Sequence, residues 1–158
     1  MTRQMFVALA ILGASACAPA SLNSADIRQG VSELVQRWSD AGEAGDWDVV
    51  ADTYADADGF VWIEQGEARY TSHGAIVEGL NQAREMSASI RNDVSDIVVT
   101  PLGADAAAFR ARYFLSVSAE GFGYSSEGVL SGVAIRQDGA WRFLQGSFSE
   151  QPPSNGGN

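Results

Sequence analysis

Residues 34–80 read LVQRWSDAGEAGDWDVVADTYADADGFVWIEQGEARYTSHGAIVEGL, and the spacing of their apolar side chains sets the architecture. Working back from Leu34, the positions Ile27, Val31, Leu34, Val35 and Trp38 form one apolar stripe at helical period, with Asp26 as the predicted cap. Gly42 and Gly45 weaken the far end of that helix, and Asp46 then caps a second one carrying Trp47, Val50, Ala51 and Tyr54 at three-four spacing. Gly59 ends the acidic turn ADADG. Phe60 to Glu64 reads as a short strand and Ala68 to Thr71 as its partner across a Gln-Gly-Glu turn. Thr71 or Ser72 caps a third helix whose buried face is predicted to be Ile76, Val77, Leu80 and Ala83.

After Met86 the period changes from helical to alternating. Strands are predicted at Ile90 to Thr100, Ala106 to Ala119, Phe122 to Gln137 and Ala140 to Ser149, the last two joined by Asp138-Gly139, a strong hairpin signal. Helices gathered in the first half and a meander of long strands in the second specify an α+β fold, three helices packed on the concave face of a curved antiparallel sheet. One domain over residues 26–150 accounts for the pattern, followed by a disordered Pro/Gly/Asn tail at 151–158.

Residues 1–17 have the form of an export signal: Arg3, an apolar run from Met5 to Leu12 too short to span a bilayer, then small residues up to Cys17. The stretch Ala14-Ser15-Ala16-Cys17 resembles a bacterial lipoprotein cleavage site, which makes Cys17 the lipidation candidate and 18–25 a tether. Cleavage after Ala16 or Ala20 by an ordinary signal peptidase is the other reading. Either one implies an exported protein, in the periplasm or anchored by lipid at the outer membrane. Cys17 is the only cysteine, so an internal disulfide is ruled out and packing must supply stability.

The chain has a formal net charge of −10, and all ten basic residues are arginine. Without a basic stripe or a single lysine, nucleic-acid binding, Schiff-base chemistry and a phosphate-loop lysine are disfavoured. One histidine and one cysteine leave too few soft ligands for zinc. No metal or cofactor is called for.

The order of Gln36-Arg37-Trp38, Gly45-Asp46, Tyr54-Ala55-Asp56, His73-Gly74 with Ile76, and Gly139 to Phe143 leading to Ser147-Phe148-Ser149 resembles the nuclear transport factor 2-like superfamily. That superfamily includes SnoaL-like proteins and ketosteroid isomerases. The resemblance implies a pocket between the helices and the concave sheet face. Trp38 falls where the isomerases place a first-helix tyrosine donor, and Trp62 where they place a catalytic aspartate, with Glu64 two residues beyond. Ser147 stands where many SnoaL-like relatives have a histidine. Because all three positions carry other residue types, no known reaction transfers to this chain.

Trp38, Tyr54, Trp62, Tyr113 and Ser147 are therefore the candidate ligand-binding residues; the rings serve equally well as core. Glu64 and Glu127 are the candidate general bases, with His73 or Trp38 as donor. For each, the competing reading is structural: Glu64 at an exposed strand end, His73 as a solvated first-turn residue, Glu127 as half of a surface ion pair with Arg112. The favoured function is a cell-envelope domain binding a small apolar or aromatic ligand, or a protein partner. The alternative is an isomerase, cyclase or dehydratase using a pocket carboxylate. A homodimer is also expected, with Phe109, Ala111, Tyr113, Leu115 and Val117 lining either its interface or the pocket.

Overall fold

The computed structural model describes residues 23–86, 89–119 and 121–150, so the export segment, Cys17 and the tail lie outside the described residues. Helix α1 spans Ser24–Ala44. Its cap is Asn23 rather than Asp26: the Asn23 carboxamide accepts from the backbone N–H groups of Ala25 and Asp26. Asp26 instead lies in the first turn, where its charge favours the helix dipole. The apolar stripe is buried along its length, from Ile27 through Val31, Leu34 and Val35 to Trp38. Gly45 closes the helix in the left-handed conformation at φ 70°, and the Asp46 carboxylate then accepts from Val49 N–H to open α2, Trp47–Asp52. Ser72 caps α3, His73–Glu85.

Six strands follow the order β2-β1-β6-β5-β4-β3 in one curved, unclosed sheet against which the three helices pack. The strands are β1 (Val61–Glu64), β2 (Glu67–Tyr70), β3 (Ser89–Pro101), β4 (Ala106–Ala119), β5 (Phe122–Gln137) and β6 (Ala140–Glu150). The four long strands form the expected antiparallel meander, and α1 lies chiefly across β3. One pairing is not in the sequence pattern: β1 runs parallel to β6, Trp62 opposite Gly146. The chain leaving α2 is pinned beside β6 first, Ala55 N–H donating to Phe143 C=O and Phe143 N–H to Thr53 C=O, both at 2.8 Å, which fixes that direction.

Facing is set by period-two alternation. On β4, Ala107, Phe109, Ala111 and Tyr113 are buried between the exposed Arg110 and Arg112. The run proposed for either interface or pocket therefore lies on the concave side. On β5, Leu130 and Ala134 face inward while Glu127 and Val129 are exposed. A bulge on β6, where Val133 pairs with Gln145 but Ala134 with Phe143, reverses the alternation between Phe143 and Gly146.

A cavity at the wide end of the sheet

The cavity is built from the second half of α1, from α2 and α3, and from the strand ends that project past them. Its volume is about 190 Å³ and its wall includes Trp38, Trp47, Tyr54, Trp62, Leu115 and Phe148. Of the expected buried face of α3, only Ile76 is buried; Val77, Leu80 and Ala83 are half-buried. Gly79, Leu80 and Ala83 meet this open volume instead of filled core. The Tyr70 ring rests on the backbone of Gly79, its hydroxyl 2.6 Å from where a Cβ would stand, so any side chain at Gly79 would push Tyr70 aside.

Deep in the wall the rings hold one another. Trp38 Nε1–H donates to the Tyr54 hydroxyl at 2.8 Å, and Tyr54 stands edge-on to Trp62 with centroids 5.0 Å apart. Phe148 meets Trp62 at 5.8 Å and Tyr113 at 4.9 Å, both near-perpendicular. Edge-to-face pairs of this kind add about 0.5–1.5 kcal/mol each beyond area burial. Burial pushes the Tyr54 phenol well above its ordinary value, against the hydrogen bond from Trp38 and with the charge of Glu64 adding to it. Tyr54 therefore remains a hydroxyl whose own proton is available.

Glu64 lies where this cavity adjoins a second, outer one of about 460 Å³ between the β1–β2 hairpin and the ends of β4, β5 and β6. Tyr70, Leu115 and Phe148 line both. Partial burial raises the Glu64 carboxyl above its ordinary value, with Arg69 acting in the opposite sense. Around the outer cavity Tyr113 shares a hydrogen bond with Ser126 at 2.9 Å, and Tyr124 donates to Glu150 at 2.6 Å. A half-desolvated carboxyl at the entrance to an aromatic chamber can accept a proton from, or hydrogen-bond to, a molecule lodged there. Among the described residues no group of three or more His, Cys, Asp or Glu could hold a metal ion, and no helix is long and apolar enough to cross a membrane.

The structure brings Trp38, Tyr54, Trp62, Tyr113 and Glu64 to these two cavities and separates the other candidates from them. Glu127 is exposed on the outer face, opposite Phe114, and among the described residues no ion pair joins it to Arg112; it is not a pocket base. His73 is half-buried in a different cleft with Asp52, Gln137 and Arg142, its Nε2 3.4 Å from Ala51 C=O, so it does not reach the cavity. Ser147 lies between inward Gly146 and Phe148 and projects outward, because the β6 bulge reverses the parity that unbroken alternation from Trp141 would give. Trp38 is a wall residue whose N–H is already taken by Tyr54, which removes it as a free donor.

Sequence reasoning missed Tyr70, Tyr124, Ser126 and Asn92. For Asn92 a signal existed: it interrupts the inward apolar alternation of Ile90 and Val94 on β3. Tyr124 and Ser126 gave none, since only the pairing of β5 with β4 places them beside Tyr113.

A cone of bent sheet roofed by three helices, with an aromatic chamber at its wide end, is the architecture of the nuclear transport factor 2-like superfamily. The family model described as SnoaL-like domain matches residues 23–145, and the chain belongs to that family. Solved structures share the fold at low identity. A protein from Salmonella enterica serovar Typhimurium named for the nuclear transport factor 2-like superfamily is 13% identical, with 85% of this chain and 98% of that one covered at a TM-score of 0.72. A protein from Novosphingobium aromaticivorans provisionally named scytalone dehydratase is 11% identical, with 81% and 86% covered and a TM-score of 0.72. Another from that organism, provisionally named an aromatic ring hydroxylase, is 18% identical, with 84% and 94% covered at 0.72. No curated protein matches the sequence.

Proposed function

We propose that the protein is a cell-envelope domain that binds a small apolar or aromatic ligand in the chamber at the wide end of its sheet. The observation that carries this is the volume of about 190 Å³ beside Trp38, Tyr54, Trp62 and Phe148, in a protein whose opposite end buries Val31, Val35, Leu130, Ala134 and Phe143 completely. Rings offer stacking area at low entropic cost, and apolar chambers with a few polar groups are the usual form of a small-molecule site. The envelope address is supported by residues 1–17 alone. Replacing Cys17 by Ser and following radiolabelled palmitate tests the anchor: incorporation is expected in the parent and lost in the variant. Titration of the purified domain with steroid-like and polyketide-like aromatics, read by tryptophan fluorescence, tests the pocket. Saturable quenching is expected, and a flat response across the panel overturns the binding reading.

A second reading is favoured by one observation, the half-buried carboxyl of Glu64 in the wall shared by the two cavities. In it the protein is an isomerase, cyclase or dehydratase with Glu64 as general base and the Tyr54 hydroxyl facing the same chamber. Full retention of a discovered turnover by Glu64→Gln removes it.

A further inference from the structure

The apolar wall of the chamber is interrupted on β3. Asn92 is 4% exposed, lines the cavity, and its Oδ1 has no hydrogen-bond partner among the described residues. The residue is held against α1 at two successive turns of that helix. Its backbone C=O accepts the hydroxyl of Ser39 on α1, and a Cβ at Gly42, one turn along that helix, would stand 3.6 Å from its Nδ2. The amide is thus confined between α1 and the open volume. A buried carbonyl oxygen left unpaired costs on the order of 1–3 kcal/mol, and a hydrophobic residue of the same shape would avoid that cost. The position is otherwise suited to an apolar side chain: Asn92 stands opposite Leu115 on β4, and Ile90, Val117 and Ala83 line the same cavity.

We infer that Asn92 reads a hydrogen-bond donor carried by the ligand, so that the chamber takes small ring compounds bearing a hydroxyl in preference to plain hydrocarbons. This rests on the binding reading above and names its ligand class. The ring body lies against Trp38, Trp62 and Phe148, and the hydroxyl donates to Oδ1 once the amide turns that buried oxygen toward the chamber. The volume suits one ring, since a cavity of about 150 Å³ accepts benzene, and a second fused ring can extend toward the adjoining outer cavity. A hydrocarbon of the same outline leaves the carbonyl unpaired, and discrimination of about tenfold or more follows from that difference.

The test uses a matched pair, 2-naphthol and naphthalene, in equilibrium dialysis against the protein and Asn92→Leu. Expected is a naphthol preference of about tenfold in the parent that falls to near parity in the variant, while naphthalene binds the variant at least as well. The ligand-free variant is also expected to melt higher than the parent, because an unpaired buried carbonyl has been removed. Should Asn92→Leu not fold, Asn92→Val removes the same acceptor with a smaller side chain. Equal binding of both probes by the parent, or a preference that survives the substitution, overturns this inference and leaves the binding reading standing. Failure of both probes to bind the parent overturns the chamber as a site for such rings, and this inference with it.

Discussion

The two ends of the sheet obey the same alternation and differ in what fills the hollow. At the narrow end Val31 and Val35 of α1 meet Phe109, Leu130, Ala134 and Phe143, and nearly all of these are fully inaccessible. Its ion pairs sit outside, where Asp52 joins Arg142 at 2.8 Å and Arg37 at 3.4 Å. At the wide end the same helix carries Trp38 and Gly42, the strands overrun the helices, and half-buried Ile90, Leu115, Val117 and Phe148 surround open volume with Glu64 and Asn92 in its wall. The difference teaches that stability and recognition are divided along one helix. Its first three turns close a core, and its last turns roof a chamber.

Trp62 belongs to both regions, so its removal should have the largest effect. Trp62→Ala is expected to cost about 3–5 kcal/mol in urea denaturation, because a 1% exposed indole packed on Tyr54, Phe143 and Phe148 leaves a void that neighbours cannot fill. Gly146 sharpens the same point: a Cβ there would run into the Trp62 ring, so Gly146→Ala must displace one or the other. Trp38→Phe comes next. It keeps the ring but strips the Tyr54 hydroxyl of its donor, with an expected loss of about 1–3 kcal/mol by thermal unfolding.

The narrow end's charges should contribute less. Asp52→Asn is expected to cost up to about 1 kcal/mol, since the pair is partly exposed and screened. Its pH dependence has a definite sign. The hydrogen bond from Arg142 holds the Asp52 carboxyl below its ordinary value, although burial opposes it. The contribution is therefore present above the unfolded-state pKa and lost as pH falls through the folded one. Glu64 should behave oppositely, because burial raises its carboxyl. Ionising it destabilises the fold as pH rises past the unfolded value, so Glu64→Gln should gain stability at neutral pH and little in acid. Parallel pH-melting curves of the two variants, bending in opposite directions, would sharpen the contrast between the ends; like-signed curves would break it. The smallest effect belongs to Glu127→Gln on the outer face, expected within about 0.5 kcal/mol and without change in ligand affinity.

Much of the fold is legible in the chain because local physics writes it there. The stripe on α1, the caps at Asp46 and Ser72, the Asp138-Gly139 turn and the four long alternating runs are short-range signals, and each predicts its element closely. The site is less legible. Ser147 is a candidate only through the family resemblance, as the position where relatives carry a histidine, and one extra residue in β6 turns it outward. Glu127 and Tyr113 could not be assigned a face from alternation, since period two says which residues share a face and not which face is concave. The helix pattern of α3 promised a buried stripe, and only the open volume beneath it explains why Leu80 and Ala83 remain half-covered.

Composition and periodicity by themselves determined the α+β class, the element order, the excess of negative charge and the rings available to line a pocket. The tertiary structure alone decided the parallel seat of β1 beside β6, the union of Trp38 with Tyr54, and the burial of an unpaired Asn92 carbonyl in the wall of an apolar chamber. The reason is range. Propensity and pattern act within a few residues, whereas a cavity and its unpaired atoms are made by segments distant in the chain, and only their joint packing settles what is left empty.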